Sequence, residues 1–273
     1  RSYLAYGGSL MVTRADDTSL SNAYAGSGAA IKIKSDENYE QFQYDENVIS
    51  DRTIVARNPG SWANGIRIGI IDSKVDQVLN GIDTTAINGG TDIAVGMGVT
   101  QSMVGKTKIG AGTTEALDGF LKGIVTEASA TQISVKVIEH VSAAGTATQV
   151  DYQPTGTYAF IGNGAIGFHT VGQSTAWISA TGTTQQDWYD NQSITLSSSS
   201  ISWNSLAARP STSQYAADKG SRFDELHVVV IDDTGEVSGN AGTILEKHTA
   251  LSKAKDSQYS VGATSYWLSL IHI

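Results

Sequence analysis

Gly162-Asn163-Gly164-Ala165-Ile166-Gly167 has the spacing with which a backbone approaches a dinucleotide pyrophosphate, and Asp187 follows at the distance of a ribose-binding acid. That chemistry needs a helix directly after the glycines, whose N-terminus holds the phosphates. The residues that follow, FHTVGQSTAW, are broken by Gly and Thr and carry weak helix signal. The glycines therefore read as turn residues, and a nucleotide-dependent enzyme would rest on this motif alone. Gly105-Lys106-Thr107 ends like a phosphate-binding loop, but the Gly required ahead of it is Thr100, and Gly98 comes too early. Lys106 reads as a solvated loop residue.

The five histidines, His140, His169, His227, His248 and His272, show no metal-ligand spacing. Asp232, Asp233 and Glu236 are calcium-type donors, but the distal bidentate Glu of a calcium loop is missing. Asp-Asp-Thr-Gly reads instead as turn chemistry. There is no G-x-S-x-G elbow, and a chain without cysteine has no thiol nucleophile. A carboxylate pair for glycoside hydrolysis is a spatial feature, and no pair stands out in the sequence. No catalytic, cofactor-binding or metal residue is assigned, and no cofactor is expected.

The elements that would position any site are read next. The 273 residues suffice for about two domains. With 40% hydrophobic and 16% charged residues the chain belongs to the globular class. Its 29 glycines against 3 prolines favour short strands joined by tight turns. A net charge of −9 without a Lys/Arg cluster argues against direct nucleic-acid binding. No apolar run approaches the ~18 residues of a membrane span, so membrane insertion is not expected.

ARNPGSWANGIRIGIID, from Ala56 to Asp72, combines two turn signals with an alternating strand. Asn58-Pro59-Gly60 predicts a type II turn with φ > 0 at Gly60, and Asn64-Gly65 a second tight turn. Trp62 is expected to anchor the packing, and Pro59, Gly60, Trp62, Asn64 and Gly65 together to mark a structural junction. The strand of Ile66, Ile68 and Ile70 is expected to pair near Leu226–Ile231, whose unbroken apolar run implies cover on both faces.

Further on, TTEALDGFLKGIV predicts a helix with Leu117, Leu121 and Ile124 on one stripe. QISVKVIEHV predicts a strand with Ile133, Val135 and Val137 on one face. STSQYAADKG predicts a short helix capped by Ser211 or Thr212 and stopped at Gly220. AGTILEKHTALSKAKD predicts an amphipathic helix with Ile244, Leu245, His248 and Leu251 as its stripe.

Three stretches carry a family resemblance: LAYGGSLMVTRA, ARNPGSWANGIRIGIID and RFDELHVVVIDDTGEVSGNAGTILEKHTALSKAKD. Long and in this order, they resemble the tail sheath protein of contractile-tailed bacteriophages, most of all T4-like myoviruses of the cyanophage type. AGTTEALDGFLKGIV and VDYQPTG resemble the insertion of that type. The resemblance implies a virion structural protein without enzymatic activity. It would assemble in host cytoplasm into stacked rings of itself around the tail tube, with baseplate and tail terminator proteins as further partners. Contraction would drive the tube through the host envelope.

The fold so implied is an α/β parent domain with a mixed sheet and flanking helices, carrying an inserted mostly-β domain. Its segments would be 1–15, 48–77 and 205–267, with a surface excursion over 16–47 and the β-rich insertion over 78–204. The chain is expected to be an interior fragment of a longer protein and, lacking the family's terminal arms, unable to polymerise alone. The last residues, 268–273 (LSLIHI), read either as a non-native tail resembling a sequencing-adapter reading frame or as an ordinary apolar segment. A competing reading is a β-rich adhesin or glycan-binding module, suggested by the Gly/Ser/Thr texture and by Trp177, Trp188 and Trp203.

Overall fold

The computed structural model describes residues 19–41, 52–84, 93–104, 118–154, 158–160, 165–169, 176–179 and 184–270. Period-two alternation governs these residues. The first half forms β1 (Tyr24–Gly26), α1 (Asp36–Glu40), β2 (Arg52–Val55), β3 (Ile66–Asp72), β4 (Gln77–Asn80), β5 (Gly98–Ser102), β6 (Phe120–Ala128), β7 (Gln132–Val141) and β8 (Ala147–Gln149). The second half forms β9 (Ala165–His169), β10 (Ala176–Ser179), β11 (Thr184–Asp187), β12 (Ser193–Thr195), β13 (Ser200–Ser202), α2 (Trp203–Leu206), α3 (Gln214–Asp218), β14 (Glu225–Asp232), β15 (Thr243–Ser252), β16 (Gln258–Ser260), β17 (Ala263–Thr264) and α4 (Trp267–Leu270).

The expected α/β parent domain with flanking helices is not formed. The described chain is mostly β, in several antiparallel sheets, and its helices run only four or five residues. Two segments account for most of the correction. Residues 120–125, the end of the expected helix, lie in strand β6, in which Leu121, Gly123 and Val125 are buried while Phe120, Lys122 and Ile124 face out; Leu117 lies outside the described residues. The i, i+3 relation of Leu121 and Ile124 thus splits across two faces. Residues 243–252, expected as a helix, are strand β15, and Ile244 of the supposed stripe is exposed. Both segments lie beside long strands, and ladder pairing outweighs modest helix propensity.

Eight strands form the largest sheet, in the order β10-β9-β5-β6-β7-β4-β11, with β8 on β7. Adjacent pairs are antiparallel. Ile133, Val135 and Val137 alternate into the core as expected and are fully buried, with Leu79, Leu121 and Phe160 against them. Each such side chain contributes about 1.5–3 kcal/mol on burial. Gly123 lies so close to β7 that a Cβ would meet the Lys136 carbonyl oxygen at 2.4 Å and the Phe160 ring at 3.0 Å. The side chain of Gln77 completes this layer by acting as a strand segment. Its Nε2 donates to the Phe160 carbonyl (3.1 Å), and the Phe160 N–H donates to its Oε1 (2.8 Å).

A three-stranded sheet has the order β15-β14-β3. The expected pairing of the isoleucine strand with Leu226–Ile231 is therefore present, and β14 is buried along nearly its whole length as the central strand. α3 follows the sequence reading in place and in its stop at Gly220 (φ 69°), but Ser213 provides the cap, accepting from the Ala216 N–H.

By contact density the chain forms two units. One comprises Arg1–Arg67, Val230–Leu245 and Leu268–Ile273; the other comprises Ile68–Val229 and Glu246–Trp267. In the first, Ile31, Ile33 and Val55 form a small core around buried Asn22. The Asn22 amide donates to the carbonyls of Ile33 (3.2 Å) and Ala56 (2.7 Å), and its oxygen accepts the Ile33 N–H (2.6 Å). The second unit holds the eight-stranded sheet and its core.

Candidate functional site

Pro59, Gly60, Trp62, Asn64 and Gly65 fall on one short connection ahead of β3. Gly60 has φ 132° and ψ 164°, a region open essentially to glycine, so the expectation of positive φ holds. The ψ value is extended, however, and a type II turn does not form. Ser61–Ala63 is a 3₁₀ turn, closed by the Asn64 N–H donating to the Ser61 carbonyl at 3.0 Å. Asn64 is right-handed (φ −65°), so Asn-Gly ends this turn and makes no I′ hairpin. Trp62 is 39% exposed, and the buried residue of the turn is Ala63.

Gly65 meets the turn that follows β14. Its carbonyl accepts the Asp233 N–H at 2.8 Å, and Arg67 pairs with the Asp233 carboxylate at 3.1 Å. Asp232, fully buried, organises that turn. It accepts from the backbone N–H groups of Gly235 (2.9 Å), Val237 (3.0 Å) and Ser238 (2.6 Å), and from the Ser238 hydroxyl (2.8 Å). Burial pushes its acidity the other way, but these donors outweigh it and hold the carboxyl below the ordinary range. With its lone pairs engaged by the loop, Asp232 does turn chemistry.

Comparison with protein-family models, with curated proteins and with solved structures gave no match to this chain.

The motifs that suggested chemistry are dispersed. Ala165–His169, overlapping the end of GNGAIG, is a strand where dinucleotide binding requires a helix, and 161–164 lie outside the described residues. Gly98–Ser102 is likewise strand; Gly105, Lys106 and Thr107 lie outside. His140 meets the Asp118 carbonyl (2.7 Å), His169 the Thr100 hydroxyl (2.8 Å) and His248 the Glu246 carboxylate (3.2 Å). Buried His227 accepts the Ala250 N–H at Nδ1 (2.9 Å), which makes Nε2 the donor to the Ala208 carbonyl (2.7 Å) and the ring neutral. His272 lies outside the described residues. Among those residues no three His, Asp or Glu gather as a metal site.

Among the described residues, the densest electrostatics arise away from any local motif. Asp76 and Lys136, both buried, pair at 2.8 Å, and the second Asp76 oxygen accepts the Val137 N–H at 2.9 Å. Desolvation raises the Asp76 carboxyl and lowers the Lys136 ammonium, with their mutual attraction opposing both shifts. Nearby, Arg209 pairs with Asp187 and lies over the rings of Tyr152 (5.1 Å) and Tyr189 (5.4 Å). Tyr152 is pushed well above the ordinary phenol range, by burial first and then by the Asp187 charge. The partners are sixty residues apart in one pair and twenty-two in the other, with no motif linking them.

Proposed function

We propose that this chain is a structural subunit of a contractile bacteriophage tail sheath, acting by assembly and without catalysis. The observation that carries the reading is the ordered set of sheath-like blocks. Two of them, around 56–72 and 222–256, supply the neighbouring strands β3, β14 and β15. A shared sheet gives these distant stretches a physical reason to travel together. The titratable groups with catalytic potential are engaged in turns, backbone contacts and ion pairs, which suits a protein working through its contacts. Its partners would be copies of itself, the tail tube protein, and the baseplate and terminator proteins of a virion tail. Stored energy would reside in two alternative subunit packings.

The adhesin reading loses one of its platforms. Trp203 is buried against Gly69, where a Cβ would come within 3.1 Å of its ring, so it cannot stack on a sugar. Negative-stain electron microscopy of the complete reading frame that contains this sequence tests the proposal. Hollow tubes of stacked rings are expected. Monodisperse particles that bind a glycan array would overturn it.

A further inference from the structure

Residues 209–223 form a loop closed on itself and fixed at both ends. The Ser213 N–H and hydroxyl donate to Asp224 (2.8 and 2.7 Å), and the Phe223 N–H donates to Thr212 Oγ1 (2.9 Å). On the entry side the Tyr189 hydroxyl donates to the Ala207 carbonyl (2.9 Å) and His227 to that of Ala208 (2.7 Å). On the exit side the Lys253 N–H donates to the Asp224 carbonyl (2.9 Å). Between these anchors, no residue of the loop belongs to the hydrophobic core of the eight-stranded sheet.

Two arginines carry the ion pairs that hold the loop against that sheet. Arg209 reaches Asp187 at the end of β11, and its buried Nη1 has no hydrogen-bond partner among the described residues. Arg222 donates to the carbonyls of Ile138 (2.9 Å) and Val150 (2.6 Å) and pairs with Asp151. Next to it Phe223 has φ 61°, a conformation disfavoured for a bulky residue. The Lys136 ammonium (4.0 Å) and the Arg222 guanidinium (4.4 Å) both lie over its ring, and its carbonyl accepts the Ser73 hydroxyl (2.8 Å). The docked loop thus combines backbone strain with charges whose desolvation opposes docking. Lifting it would relax Phe223 and rehydrate the Lys136–Asp76 pair, at the expense of the arginine contacts.

We propose that residues 209–223 are a latched strap that opens as a unit from the eight-stranded sheet while the sheet stays folded, with Arg209 and Arg222 as the latch. Opening would uncover Tyr152, Tyr189 and Asp187. The inference is independent of the sheath reading.

Hydrogen–deuterium exchange of the chain, followed by peptide mass spectrometry, tests it. In Arg222→Gln, and separately in Arg209→Gln, amides of 209–223 should exchange about tenfold faster or more, the scale of lost hydrogen bonds to a charged group. Amides of 132–141 and 226–232 should keep their rates, whereas the Glu225 N–H, which donates to the Ser211 carbonyl (3.2 Å), should follow the strap. With both arginines in place, raising salt from about 0.05 to about 0.5 M should move the strap in the same direction, because screening weakens the latch. The salt series, run on Lys219→Gln to remove the exposed Lys219–Asp256 pair (2.9 Å), decides the matter even if an arginine variant fails to fold. Strap amides that exchange only at the rate of 132–141, or that ignore salt, would overturn the proposal.

Discussion

A Cβ placed on Gly65 would lie 1.9 Å from Thr234 Oγ1, 2.9 Å from its Cβ and 3.0 Å from its Cγ2. Rotating the threonine exchanges one of these clashes for another, because all three atoms are within reach. Gly65→Ala should therefore cost about 1–3 kcal/mol, the range for overpacking a tight contact. Thr234→Gly in the same chain removes all three atoms and should restore most of that loss. Urea unfolding of the two single variants and the double variant measures the coupling; additive effects would show that Gly65 serves another purpose.

Asp232 gives a pH signature. A carboxyl held below its ordinary range contributes stability that is present above the unfolded value of about 3.9 and lost as pH falls through the folded value. Asp232→Asn should thus melt at lower temperature than the parent at pH 7. The gap should narrow once acid protonates the parent carboxyl. Melting curves of both proteins from pH 7 downward check this; a gap independent of pH would assign the effect to shape alone.

For the buried Asp76–Lys136 pair, breaking and replacing should differ. Lys136→Met leaves an uncompensated buried carboxylate and should cost about 3–5 kcal/mol. The double change Asp76→Leu with Lys136→Met removes both desolvation penalties and should recover most of the loss. What remains should be about 1–3 kcal/mol for the unpartnered Val137 N–H. Chemical denaturation of the single and double variants distinguishes the cases.

Asn22→Ala should destabilise the unit built on Ile31, Ile33 and Val55 by about 2–3 kcal/mol, since it leaves one N–H and two carbonyls without their amide partner. Exchange protection at Ile33 is the local readout. It should fall while β7 retains its protection.

What the sequence disclosed follows from the range of the forces involved. β7 and β14 were legible because alternation and an unbroken apolar run are local signals, and β14 needed only neighbours on each side. Gly220 and Gly60 were legible as positions of positive φ, but the ψ of Gly60 depends on contacts beyond the turn, so the turn type was not. β6 and β15 were misread because Leu121, Ile124, Leu245 and His248 fit both a helical stripe and a half-buried strand. Only the distant partner strand decides between them. The Asp76–Lys136 and Arg209–Asp187 pairs are products of topology and left no local trace.

The amide of Gln77 stands in for a strand partner, supplying one donor and one acceptor to Phe160 across 83 positions of chain. Few side chains offer both at that reach, so the two positions are bound together under drift. Among divergent chains that retain Ala56–Asp72, loss of an amide at 77 should accompany a changed or deleted segment around 160. That paired signature offers a way to trace the lineage of the eight-stranded sheet where overall identity has faded.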